Sequence, residues 1–246
     1  MRKFRTLRAP WTRSPRRSGR HVQKLLAIAD AAEADPDRYG PLLAAVDAAG
    51  GRLNGPYARL LRLQDEARVR DLVPLVGRYR TLLLDPPWDA DGLSASTSHA
   101  YALMSVEATA ALPVPGWADE AGCHLYLCCT NNTLAVAVAL VGGWGFAYRT
   151  CHTWTKPKLG RGRYFRNTTE HVLFATLGAL KTRPAAMSVR TDHAWQVPKG
   201  PESTKPDGLY DLIQACSYGP YGEAFQRTAR PGFMNLFAAP ALGAAE

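Results

Sequence analysis

The chain has no apolar run approaching a membrane span, and its first twenty residues hold no apolar leader segment. Both absences argue for a soluble, cytoplasmic protein with no membrane partner. The five cysteines, Cys123, Cys128, Cys129, Cys151 and Cys216, include no CxxC pair, and the histidines form no HxxxH pair. A disulfide framework or a zinc centre would be spaced differently, so no metal is expected. No internal repeat is found. Disorder is argued against by composition: 46% of residues are hydrophobic and 21% charged. A length of 246 residues allows one full core, with room for a small appendage.

Acidic residues are also missing from residues 1–20, which contain Arg2, Lys3, Arg5, Arg8, Arg13, Arg16, Arg17 and Arg20. Most of the net charge of +9 therefore sits in one tail. A basic tail punctuated by Pro, Ser and Gly suits phosphate backbones, whose counterions it displaces. The plainer alternatives are a solvated tail or a targeting leader.

What is present reads as tail, helical segment and α/β domain, over residues 1–20, 21–75 and 76–240. From His21 to Ala34, Val22, Leu25, Leu26 and Ala29 recur at helical spacing. A second helix carries Leu42, Leu43 and Val46 and stops at Gly50-Gly51. Asn54-Gly55-Pro56 then opens a third with Tyr57, Leu60 and Leu61. From residue 79 the pattern changes. Strands are expected at Tyr79–Leu84, His124–Thr130, Phe146–Trp154, Glu170–Thr176, Glu223–Arg227 and Phe233–Phe237. Pro206 opens a helix with Leu209, Leu212, Ile213 and Cys216 on one face. Strands alternating with helices imply an open sheet covered on both faces, which binds ligands beyond the carboxyl ends of its strands.

The motif that carries chemistry is Asp85-Pro86-Pro87-Trp88, directly after a buried-type strand. Pro86 keeps Asp85 extended, and two prolines stiffen the loop and remove two backbone donors. What remains is a carboxylate, free carbonyl acceptors and one large aromatic plane. Methylation of the exocyclic amine of adenine needs that set. The amine is a poor nucleophile, because its lone pair is delocalised into the ring. Asp85 and the Pro86 carbonyl can grip its two hydrogens, with Trp88 stacking on the base. Positioning and electrostatics then supply the catalysis.

Tyr79 to Trp88 (YRTLLLDPPW) resembles the signature of the MT-A class of N6-adenine methyltransferases, relatives of the seventy-kilodalton catalytic subunit of mRNA adenosine methyltransferase, with bacterial and phage members. Blocks in matching order extend the resemblance over residues 76–237. They are His99 to Ser105 (HAYALMS), Trp154-Thr155-Lys156, Arg166 to His171 (RNTTEH), Ser203 to Asp207 (STKPD) and Glu223 to Arg227 (EAFQR). The resemblance implies a Rossmann-like α/β sheet of permuted, beta-class-like order, with the catalytic strand ahead of the cofactor strand, and S-adenosylmethionine as cofactor. It implies cofactor binding by Asp85, Lys205, Phe225 and Arg227, Lys205 pairing with the methionine carboxylate. It places Asn167 and Glu170 near the target base and Tyr101 in a loop over the site. Where the family often has Trp-Gly-Asn at the final strand end, this chain reads Phe237-Ala238-Ala239, and Ala67 stands near the position where some relatives have an Asp for the cofactor adenine. Both departures thin the cofactor pocket and leave room for a homo- or heterodimer partner to complete it.

Lys156, Lys158, Arg161, Arg163 and Arg166 interleave with Tyr164 and Phe165, a mixture suited to backbone contact and base stacking. Lys156, Arg163 and Tyr164 are therefore expected on the substrate. That substrate is DNA, favoured over RNA by the helical segment ahead of the sheet. The alternative from another class is a non-catalytic nucleic-acid-binding subunit of a methyltransferase complex, which the altered final strand favours and the intact Asp85-Pro86-Pro87-Trp88 opposes.

Overall fold

The computed structural model describes residues 19–70, 72–88, 104–157, 165–195, 205–226 and 228–238. The tail of residues 1–18 lies outside them, as do Tyr101, Lys158, Arg161, Arg163, Tyr164 and Arg227. The chain divides into two compact units, one holding residues up to Arg70 and the other the sheet.

The first unit contains three helices, α1 (Gly19–Ala34), α2 (Pro36–Ala48) and α3 (Asn54–Arg70). Asp35 caps α2 by accepting from the Arg38 N–H at 3.1 Å, and Pro36 fills the first helical position, where a missing N–H costs nothing. Gly50 and Gly51 end α2 with φ of 60° and 80°, a left-handed turn that side chains resist. Ile28, Leu42, Val46, Leu53 and Leu60 form the core of this unit. The helical periodicity read at Leu42, Val46 and Leu60 thus faces inward. The Leu63 carbonyl accepts from Arg38 at 2.6 Å and so ties α2 to α3.

The second unit is built on seven strands: β1 (Thr81–Leu84), β2 (Gly122–Thr130), β3 (Ala147–Thr155), β4 (Thr169–Gly178), β5 (Asp192–His193), β6 (Tyr221–Ala224) and β7 (Phe233–Asn235). They lie in the order β5-β3-β4-β2-β1-β6-β7. The helices between them are α4 (Val106–Ala110), α5 (Val114–Trp117), α6 (Leu134–Gly143) and α7 (Asp207–Cys216). The mixed α/β sheet has the Rossmann-like methyltransferase organisation implied above.

β1 and β2 are apolar over nearly their whole length because both faces are covered. Leu82, Leu84, Leu125 and Leu127 pack with Trp117, Leu140 and Val141 on one face. Leu83, Tyr126 and Cys128 pack with Leu209, Tyr210 and Ile213 of α7 on the other. The expected alternation of strand and helix fails between β3 and β4, between β4 and β5 and between β6 and β7, where no α-helix is described. β3 leads to β4 in antiparallel pairing, and β4 is also antiparallel to β2, so it alone opposes the other strands. The closing strands are shorter than expected. β6 ends at Ala224 because Phe225 turns to a φ of 66°, and β7 ends at Asn235, whose side chain accepts from the Phe237 N–H.

A buried polar knot joins the sheet to α7. His124 Nε2 lies 3.1 Å from the Leu180 carbonyl, which can only accept, so Nε2 carries the proton. Nδ1 then accepts from the Ser217 hydroxyl at 2.8 Å, and Tyr126 donates to Ser217 at 2.8 Å. Burial holds His124 below its ordinary pKa, which keeps this tautomer neutral. Ser217→Ala leaves His124 and Tyr126 each short of a partner in the core, so chemical denaturation should show a loss of about 2 kcal/mol.

Candidate active site

β1 and β6 end together, beside β2, which runs on to Thr130. Leu84 stands beside Leu127 and Ala224, so Asp85 emerges between two neighbouring parallel strands. The first residues of the loop that follows, Pro86 to Trp88, are held by three hydrogen bonds. The Trp88 N–H donates to the Pro86 carbonyl at 2.9 Å, and the Met104 N–H donates to the Pro87 carbonyl at 2.6 Å. The Trp88 indole N–H donates to the Cys128 carbonyl of β2 at 2.9 Å. Pro86 and Pro87 are buried, while Asp85 and Trp88 are only partly so. The two prolines, having no N–H to satisfy, can be buried at this edge without cost to the hydrogen-bond count. Each carbonyl keeps a second lone pair.

Lys205, two residues before α7, reaches this loop. Its ammonium lies 3.0 Å from Asp85 Oδ1 and 3.5 Å from Glu170 Oε2. Glu170 pairs in turn with Lys156. Trp154 and Glu170 are cross-strand partners on β3 and β4, and the Lys156 N–H donates to the Thr168 carbonyl at 2.7 Å. Four charges of alternating sign therefore run across the strand ends, Asp85–Lys205–Glu170–Lys156. The Lys205 side chain is 14% exposed and that of Asp85 15%. Burial alone would lower the Lys205 pKa, but Asp85, with smaller help from Glu170, holds it above its ordinary value. Burial would likewise raise Glu170, and the two lysines hold it below its usual range. The Lys205 carbonyl accepts from Arg230 at 3.2 Å, and Arg230 also pairs with Asp207, so the lysine backbone is anchored from behind.

Beside this chain lies a polar cluster. Asn131, just past β2, donates to Asn167 at 3.1 Å and accepts from His171 Nε2 at 2.5 Å and from the Thr169 hydroxyl at 3.2 Å. Phe165 stands 87% exposed nearby in the chain. On the other side of Asp85, Phe225 packs partly buried, its ring centroid 5.1 Å from that of Phe237. Glu223 of β6 is buried and takes bonds from Tyr210 at 2.7 Å and Gln226 at 2.8 Å. Burial raises its pKa above the usual carboxylate range.

Of the residues expected at the site, the structure brings Asp85, Pro86, Pro87, Trp88, Lys205, Glu170 and Lys156 to one edge. Asn167 enters it through Asn131, and Phe225 flanks it from β6. Tyr101, Arg163, Tyr164 and Arg227 lie outside the described residues. Sequence reasoning missed Asn131, His171, Glu223 and Gln226. The Asn-Asn pair directly after an apolar strand was the available signal for Asn131.

The shared cation makes a pH-dependent prediction. In Lys205→Met, Glu170 keeps only Lys156, and burial pushes its folded pKa upward. A carboxylate whose folded pKa is raised destabilises the fold as pH rises through and above its ordinary value of 4.5. The stability gap between variant and wild type, read by urea unfolding, should be small at pH 4 and grow to about 2 kcal/mol at pH 7.

No curated protein matches the chain. The MT-A70 family matches residues 79–236, which spans β1 through Leu236 and takes in the loop and the charge chain just described. The chain belongs to the MT-A70 family, whose methyltransferases take their methyl group from S-adenosylmethionine.

Proposed function

We propose that this protein is an adenine-N6 methyltransferase acting on nucleic acid, with DNA favoured over RNA. The observation that carries the reading is the Asp85-Pro86-Pro87-Trp88 loop, pinned at the strand ends with its carboxylate beside Lys205.

The donor set suits the cofactor. An amino-acid end bears one carboxylate and one ammonium. A buried Lys205–Asp85 pair can exchange partners with such a zwitterion without stranding a charge, a fit that an apolar or singly charged edge would not give. Lys205 would hold its carboxylate, Asp85 would face its ammonium and Phe225 would line its apolar part. S-adenosylmethionine supplies, when bound, a methyl group made electrophilic by a sulfonium.

The chain's own residues do the rest. Among the described residues Asp85 Oδ2 takes no hydrogen bond, so it is free to accept from an exocyclic amine. The Pro86 carbonyl, with one lone pair used by Trp88, offers the second acceptor. Two acceptors on one nitrogen fix its orientation and favour a more tetrahedral geometry. The indole of Trp88 is held by Cys128 through its N–H, which fixes the ring's tilt and gives the base a defined plane to meet. The amine sheds its proton as or after it is alkylated, so Asp85 acts as an acceptor and need not be a strong base. Asn131, Asn167 and His171 supply further polar groups at the same edge. Lys156 and Glu170 set the charge there, and Arg163, Tyr164 and Tyr101 are proposed as further substrate contacts. A duplex target must present its adenine flipped out of the stack.

Transfer of labelled methyl from S-adenosylmethionine to parallel DNA and RNA pools, followed by nucleoside mass analysis, tests the reading. N6-methyladenine from either pool is the expected product. Methylation at any other position would overturn the reading, and a chain that binds nucleic acid but no cofactor would instead be a non-catalytic subunit. Asp85→Ala should lower kcat by at least ~100-fold with an unchanged circular-dichroism spectrum. Turnover close to wild type in that variant would remove Asp85 from the mechanism.

A further inference from the structure

The opposite edge of the sheet, where β1 and β6 begin, carries a second concentration of charge. Arg80 precedes β1, and Tyr218 lies three residues before β6. Because β4 runs against its neighbours, its far end brings Lys181 and Arg183 to the same edge. The guanidinium carbons of Arg80 and Arg183 lie 4.9 and 5.2 Å from the centroid of the single Tyr218 ring.

This grouping is firmly held. The Tyr218 carbonyl accepts from the Thr81 hydroxyl at 2.7 Å, the Arg80 N–H donates to the Pro220 carbonyl at 3.1 Å, and the Arg183 N–H donates to the Cys216 carbonyl at 2.8 Å. Backbone bonds or strand ends position all three residues, so their spacing does not rest on side-chain order alone.

Electrostatically the grouping is incomplete. Among the described residues neither Arg80, Arg183 nor Lys181 has an ion-pair partner. Arg183 donates through Nη1 to the Gln214 carbonyl at 3.0 Å, which leaves the rest of its fork open. Gathering two like charges on one ring costs energy that the ring quadrupole offsets only in part. An anion shared between the two forks completes it. Guanidinium groups match phosphate oxygens in pairs, and an aromatic ring among them adds a stacking surface.

We propose that Arg80, Arg183 and Tyr218 form a second contact for the phosphodiester backbone of the nucleic-acid substrate, on the edge of the sheet away from the catalytic loop. The proposal rests on the nucleic-acid reading above and extends it to substrate length. Arg80 stands five positions before Asp85, about 16 Å along an extended strand. A strand of B-form duplex advances about 3.4 Å per nucleotide, so a substrate must exceed about five nucleotides to touch both edges. The surface therefore adds affinity for long substrates and nothing to the chemical step.

The test compares wild type with Arg80→Gln/Arg183→Gln, and with each single variant, on an oligonucleotide of about thirty nucleotides, in the DNA or RNA form that wild type methylates. Binding is read by fluorescence anisotropy across a salt series, and turnover separately. The double variant should bind about tenfold more weakly at low salt. The slope of log affinity against log salt should fall by about 1.4 on a single strand or about 1.8 on a duplex. KM for the oligonucleotide should rise, while kcat and the KM for S-adenosylmethionine stay unchanged. Wild-type affinity and slope in all three variants would overturn the surface while leaving the methyltransferase reading in place. A fall in kcat with unchanged KM would also overturn it, by showing a structural effect on catalysis. A wild-type protein that methylates no nucleic acid would remove the reading itself, whatever the anisotropy shows.

Discussion

The ammonium of Lys205 holds the catalytic edge together. Two carboxylates, Asp85 from β1 and Glu170 from β4, approach one another where parallel strands end and little water reaches them. Without a cation between them, one would have to take up a proton or move away. Lys205 removes that conflict from its place just before α7. Arg230 grips its carbonyl and the next acid along, Asp207. The helix that covers one face of the sheet thus also delivers the charge that lets the other face's loop stay where it is. Lys156 then balances Glu170, and the four charges sum to zero, so the edge carries no net charge of its own.

The described part of this loop leaves few donors open. Its prolines give up two, and among the described residues the Trp88 and Met104 N–H groups and the Trp88 indole N–H donate to carbonyls. What it leaves open is acceptor capacity, at Asp85 Oδ2 and on the second lone pair of Pro86. Spent donors and open acceptors are the condition for gripping an amine, whose hydrogens are donors only.

Much of this was legible in the chain. The strand before Asp85, the Pro-Pro stiffening and the helix opening at Pro206 follow from local rules, and the spacing of Lys205, Glu170 and Lys156 follows the family's block order. Other features have no local signature. A strand reads the same in either direction, so nothing in Thr169–Gly178 betrays that it opposes its neighbours. Phe225 ends β6 by adopting a positive φ, which an aromatic residue seldom does, so the strand stops three residues short of the expected Arg227. The pairing of Asn131 with His171 and Asn167, and of Arg80 with Arg183, joins residues 36 to 103 positions apart in the sequence. Composition marks such residues as polar or basic and says nothing of their meeting.

The reversal of β4 has a further consequence for how this protein can change. β3 ends and β4 begins at the same edge, so the connection between them, residues 156–168, leaves and re-enters the sheet beside the catalytic loop. The strands it joins are already zipped together along their length, and their register does not depend on what lies between. Closing a longer connection costs only about 0.6 kcal/mol for each doubling in length. This stretch is therefore a point at which the chain can be lengthened, trimmed or exchanged as a cassette while the strands behind it keep their register.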